Sequence, residues 1–194
     1  MTPAAPEIDG GGAHDGVGGA AIALHLTFRI GDQRTRPEVW RALIHSSVEG
    51  GRGEHVLAEA TLHRVHYANP RWLEQLRDAV PDLSSIGSAF ADRELISMID
   101  ESSLFTDSLC VISSIEVDDA AVGSLVTHSL VRGVARVFDG DTIALVIAGA
   151  FAVSGSAPAL DAPGLAARRA HWAQIGFVDI PGTASMLLPV GARP

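Results

Sequence analysis

Leu109-Cys110-Val111-Ile112-Ser113-Ser114-Ile115-Glu116-Val117, followed by Ala120 to Phe138 and then Thr142 to Phe151, is the stretch that decides the fold. Its first piece is β-branched and mostly apolar, which predicts a strand. The second carries Leu125, Val126, Leu130, Val134 and Val137 on one helical face. Asp139-Gly140-Asp141 makes a turn, and Thr142 to Phe151 is almost continuously apolar, as a central strand covered on both faces should be. Strand, crossover helix, strand in this order predicts a parallel, right-handed unit.

On the C-terminal side, Pro158 to Gly164 reads as a loop and Leu165 to Ile175 as a helix burying Leu165, Ala166, Ala170 and Trp172. Gly176 ends that helix in the left-handed region, and Phe177 to Ile180 and Ala184 to Leu188 read as two last strands. On the N-terminal side, Ile22 to Ile30 alternates like a half-buried strand, and Val56 to Tyr67 reads as another. Between them, Thr35-Arg36-Pro37-Glu38 has the form of a capping box, so Val39, Trp40, Leu43 and Ile44 are expected on a short helix. Asn69-Pro70 starts a helix with Trp72, Leu73, Leu76, Ala79 and Val80, ending before Pro81. Asp82 or Ser84 caps a further one carrying Ile86, Phe90, Leu95, Ile96 and Ile99.

Met1 to Ala21 is rich in Gly and small residues and has too little apolar surface to offset the entropy of ordering, so a flexible tail is expected, followed by a single domain over residues 22–194. Net charge is −9, which argues against a nucleic-acid or anionic-membrane surface. All 14 cationic side chains are Arg, a bias that reads as a GC-rich genome, hence a bacterial source, before it reads as phosphate binding. A lone Cys110 excludes an internal disulfide and a Cys-based zinc site. No segment reaches the ~18 uninterrupted apolar residues of a membrane span, and no cationic leader precedes the tail, so a cytoplasmic protein is expected.

Ala167 to Phe177, with Gly176-Phe177, then Ile180-Pro181-Gly182-Thr183 and Met186-Leu187-Leu188, resembles the closing helix, "GF" corner and last strands of the GNAT N-acetyltransferases. Leu109 to Val117 with the following helix resembles that family's fourth strand and pyrophosphate-binding helix, and Thr142 to Phe151 its fifth strand. The resemblance covers residues 109–188, the acyl-CoA-binding half. It implies an α/β (α+β) fold: a GNAT-like mixed, mostly antiparallel sheet flanked by helices, with one parallel strand-helix-strand unit.

The family binds the CoA pyrophosphate on backbone N–H groups at the start of the crossover helix, where the helix dipole favours an anion. Its pattern there is Arg or Gln, two residues, Gly, one residue, then Gly or Ala. Asp118-Asp119-Ala120-Ala121-Val122-Gly123-Ser124-Leu125 keeps part of this pattern in two registers. With Gly123 last, Asp118 takes the Arg position and Ala121 the first Gly; with Gly123 first, Ala120 and Leu125 take the outer positions. The resemblance implies cofactor-binding roles for Val117, Ala121, Val122, Gly123, Ser124 and Leu125, with charge from Arg169 or from Arg132, Arg136 or Arg168, and acetyl-CoA as co-substrate. Asp119 is expected to cap the same donors.

Glu116 matches the family's strand-four general base, and Trp172 stands where many members have an acidic tyrosine, which leaves His171, His128 or a water to act as acid. Against these roles stand plainer readings: Glu116 as an outward charge, Gly123 as a packing residue, His171 and Trp172 as helix packing, and Arg168 and Arg169 as solvated cations. His63 and His66 would face opposite sides of a strand and so could not share a metal. Cys110 reads as a small buried hydrophobe, and Ser154-Gly155-Ser156 lacks the context of a hydrolase elbow.

Two functions are therefore carried forward. One is an acyltransferase moving an acetyl or acyl group from acyl-CoA to a small-molecule or peptide amine, which needs an open cleft between the strands ending near Glu116 and Phe151. The other is a catalytically inactive GNAT-like scaffold that binds a ligand or another protein. The apolar last strand could mediate a homodimer.

Overall fold

The computed structural model describes residues 22–29, 36–47, 54–79, 106–122, 125–147, 150–153 and 161–189. The tail expected over Met1 to Ala21, the helix expected between Asp82 and Ile99, and Ser154 to Ser156 lie outside the described residues.

Eight strands form one sheet: β1 (Ile22–Arg29), β2 (Glu38–Ser47), β3 (Glu54–His66), β4 (Ser108–Val117), β5 (Asp141–Val146), β6 (Ala150–Val153), β7 (Val178–Asp179) and β8 (Ser185–Leu188). Their order is β1-β2-β3-β4-β5-β8-β7, with β6 also paired to β4. The β4–β5 and β4–β6 pairs are parallel and the others antiparallel. Among the described residues three helices flank the sheet: α1 (Trp72–Ala79), α2 (Val126–Val137) and α3 (Ala162–Ala173). This is the mixed, mostly antiparallel GNAT-like architecture with a parallel strand-helix-strand unit that the sequence predicts.

Alternation divides the sheet's side chains between two layers. On one face Ala42, Ile44, Ala58, Ala60, Leu62, Cys110, Ile112, Ile115, Val117, Ile143 and Leu145 pack against Val126, Leu130, Val134 and Phe138 of the α2 segment and Trp172 of α3. On the other, Val65, Leu109, Val111, Ala144 and Val146 pack against Leu76, with Tyr67, Trp72 and Leu73 closing over them.

Several elements differ from expectation. The short helix expected to carry Val39, Trp40, Leu43 and Ile44 is not formed: Glu38–Ser47 is a strand hydrogen-bonded to β1 and β3, and pairing on both sides overrides the local helical spacing. The apolar run Thr142 to Phe151 is two strands, because the chain leaves β4 after Leu145 and rejoins it at Ala150. The crossover helix begins at Val126, preceded by a 3₁₀ turn over Asp119–Ala121. Helix α3 starts earlier than expected because the Asp161 carboxylate accepts the Gly164 N–H at 2.9 Å. Gly176 does adopt the left-handed conformation, with φ 96°. The apolar β8 lies between β5 and β7, so its side chains are used within the chain rather than on an edge.

One buried charge group ties the strands together at the start of β4 and β5. Arg64 of β3 donates to both Asp141 oxygens, at 2.6 and 2.9 Å, and lies 3.7 Å from Glu38 of β2. Glu38 also accepts from Trp40 Nε1 at 3.2 Å and meets His66 Nε2 at 3.2 Å. His66 Nδ1 is 2.6 Å from the Ser108 hydroxyl. The Arg64 guanidinium lies over the Phe138 ring, 5.6 Å from its centroid.

The two faces of α2 differ enough for a direct test. Leu130 is fully buried and Val137 is 54% exposed. Leu130→Ala should cost about 2–5 kcal/mol, and Val137→Ala less than about 0.5 kcal/mol, in urea unfolding at constant m-value.

Candidate functional site

The segment that resembles the family's pyrophosphate turn begins at Asp118, directly after β4. There Asp118, not Asp119, is the cap: its side chain accepts the Ala120 N–H at 2.9 Å, and its own N–H donates to Leu57 O at 2.9 Å. His55 Nε2 lies 3.3 Å from the same carboxylate. The Ala120 N–H, and then His55, hold the Asp118 carboxyl below the usual range, so it is anionic at neutral pH. Ala121 is buried, while Val122 and Leu125 are exposed at 58% and 69%. Gly123 and Ser124 lie outside the described residues. Leu125 caps α2 with no side-chain bond. The turn thus presents an exposed carboxylate at Asp119 and two apolar side chains, while Asp118 is engaged in the cap.

Glu116, the candidate base, is exposed near the end of β4. Its neighbours Ile115 and Val117 belong to the α2–α3 layer, so its side chain projects to the opposite, α1 face. Across the ladder it stands beside Glu59, whose carboxylate is paired with Arg41. On its other side β4 is occupied: Ile115, Glu116 and Val117 pair with Ala150, Ala152 and Val153 of β6. The cleft required between the strands ending near Glu116 and Phe151 is therefore bridged by main-chain pairing.

His171 does not join Glu116. It lies in the α2–α3 layer, 3.2 Å from Thr127 Oγ1 through Nε2, with its ring stacked on His128 at 4.0 Å between centroids and 37° between planes. Trp172 packs edge-on to His171 and is fully buried. Burial pushes the pKa of both histidines down; the neighbouring His128 adds to this for His171, and Arg132 for His128, which a hydrogen bond with the His171 backbone partly offsets. His128 Nε2 is buried without a hydrogen-bond partner among the described residues.

The two arginines of α3 are anchored rather than solvated. Arg168 donates to Ile147 O at 3.1 Å. Arg169 pairs with Asp179 and donates to Thr183 O at 3.0 Å, which fixes the α3–β7 corner. Cys110 is buried, and burial followed by the neighbouring Asp141 pushes its thiol pKa strongly up, so it is no nucleophile. His63 and His66 do face opposite sides of the sheet, and no cluster of metal-ligating side chains occurs among the described residues.

The sequence reading missed a cavity of about 500 Å³ on the α1 face. Arg36, Val39 and His63 form one wall, and Gln75, Asp78 and Ala79 of α1 form the other. Val39 and His63 are cross-strand partners. Gln75, Asp78 and Ala79 are spaced i, i+3, i+4, a signal for a shared helix face that was hidden while residues 35–44 were read as a helix.

No protein-family model matches the chain, and no curated protein matches it. Among solved structures it is similar to a crystal structure of a Tyr-to-Phe mutant of KacT, at 13% identity and TM-score 0.44, over 79% of this chain and 72% of that one. At that distance the likeness says nothing about chemistry. No helix among the described residues is long and apolar enough to cross a membrane.

The His128–His171 stack makes stability depend on pH. Both folded-state pKa values lie below the unfolded ~6.5, so the unfolded chain binds more protons as pH falls through that value. The thermal midpoint should therefore fall between about pH 7 and pH 5, and less steeply in His128→Leu, whose remaining slope reports His171 and the likewise depressed His63.

Proposed function

We propose that the chain is a GNAT-like fold whose donor turn is occupied by its own carboxylate, and that it works as a ligand-binding or protein-interaction module rather than as an acyltransferase. One observation carries this reading: in the segment that resembles the family's pyrophosphate turn, Asp118 accepts the Ala120 N–H, and the Ala121 and Val122 N–H groups go to the Asp118 and Asp119 carbonyls. A pyrophosphate arriving there would compete with an internal anion for the same donor and meet Asp119 beside it, and repulsion at that range opposes binding. The β4–β6 pairing and the anchoring of Arg169 support the same reading, since they close the opening and engage one of the cations that an acyl-CoA could use.

The second reading keeps the acyltransferase, with acetyl-CoA as co-substrate, Glu116 as base and a small-molecule or peptide amine as acceptor. It is favoured by the exposure of Glu116 two residues before the turn, where a carboxylate can reach solvent and a passing amine. Without the cleft, catalysis by proximity would require β6 to part from β4.

Calorimetric titration of acetyl-CoA separates the two. Native protein should bind more weakly than about 1 mM. Asp118→Arg, which removes the internal anion and supplies a cation, should tighten binding about tenfold or more. Micromolar binding by native protein, lost on a bulky substitution at Gly123, would overturn the module reading in favour of the transferase.

A further inference from the structure

The cavity on the α1 face combines features that an ordinary surface dent lacks. His63 is 8% exposed and lines it, yet its imidazole has no hydrogen-bond partner among the described residues. It lies in the cavity wall, within reach of anything the cavity holds. Burial pushes the His63 pKa down, which leaves a neutral ring offering one N–H and one lone pair. Such a group costs free energy unless something bonds it.

Two charges frame the opening. Arg36, just before β2, and Asp78 on α1 both line the cavity and both are exposed. They do not pair with each other, and neither has an ion-pair partner among the described residues. Opposite charges that share a cavity without neutralising one another leave a cationic and an anionic subsite on one rim. Val39 and Ala79 supply apolar wall to the same cavity. The volume is in the range of small-molecule sites, about 300–1,000 Å³.

We infer that this cavity binds a small zwitterion of the α-amino-acid class, with its carboxylate toward Arg36, its ammonium toward Asp78 and an N–H donated to the His63 imidazole. A ligand of zero net charge suits a chain of net charge −9, which would repel a simple anion. The inference deepens the module reading by naming what the module holds. The cavity shares its sheet face with Glu116 but lies about four residues along β3 from Glu59, roughly 13 Å away, so it is separate from the turn.

The test uses the whole chain and the free proteinogenic L-α-amino acids at roughly 10 mM, read by thermal shift and then by calorimetry for any that stabilise. At least one should raise the midpoint. Its N-acetyl derivative, acetate and methylamine, each lacking one or both charges in the required arrangement, should bind at least about tenfold more weakly. Arg36→Gln and Asp78→Asn alter exposed side chains that fold without partners, and each should weaken the amino acid about tenfold or more. The N-acetyl derivative should be insensitive to Asp78→Asn, because it has no ammonium to lose. The imidazole ¹⁵N resonances of His63 should shift on saturation.

No stabilisation by any amino acid would overturn the inference, as would binding unaffected by both variants or matched by acetate alone. Acetyl-CoA titration is read at the other site, so failure here leaves the module reading standing, and micromolar acetyl-CoA binding would sink that reading without touching this one.

Discussion

The bidentate Arg64–Asp141 pair is the contact on which the sheet's register depends. Arg64 lies on β3 and Asp141 opens β5, with β4 between them, so the pair spans three strands across Cys110. It joins the antiparallel part of the sheet to the parallel unit. A slip of β3 by one residue would turn Arg64 to the α1 face and break its two bonds to Asp141 and its contact with Glu38, both of them buried. Removing one partner from a buried ion pair costs about 3–5 kcal/mol, somewhat less here because Arg64 keeps 23% exposure. Trp40, His66 and the Phe138 ring complete the shell, so the charged group is anchored in hydrogen bonds as well as in Coulomb attraction.

Because β5 is held to β4 only from Ser108 to Ile112, its later course is set by β8. From Ile112 to Ile115, β4 advances three residues while the partnering chain advances five, from Leu145 to Ala150. The surplus is where the chain swings toward β8: the Ile147 N–H goes to Ala184 O at 2.9 Å, and its carbonyl accepts from Arg168. A break in a central strand normally strands polar backbone groups, and here both are satisfied. Arg168 is therefore consumed by the strand break, and the returning β6 covers the end of β4 beside Glu116.

How far the fold could be read in advance follows from the range of the forces involved. β1 alternates and β4 is β-branched, so both are visible locally, as is the left-handed Gly176. β2 is not, because Trp40 and Ile44 point into one layer while Val39 and Leu43 occupy the other, and apolar residues on both faces imitate helical spacing; Pro37 suits a helix start and a strand start alike. The break after Val146 leaves no mark in a run of apolar residues, since its cause is pairing with β8. At the site, the exposure of Glu116 was visible, whereas the cap was assigned one residue late, to Asp119, since both aspartates suit it and the choice depends on Leu57 O and His55. The Arg64–Asp141 pair lies 77 residues apart in sequence and has no local signature.

The self-capped turn also explains how the fold can stand without a ligand. A turn built to receive an anion leaves backbone donors unsatisfied until the anion arrives, and unsatisfied donors are destabilising. Asp118 supplies the anion from within the chain, in an orientation held by His55 and by its own N–H on Leu57. A polar group without a hydrogen-bond partner among the described residues lies elsewhere, at His63, between the α1 wall and the β2–β3 ladder. Unspent hydrogen-bonding capacity marks where a fold can still gain from a ligand.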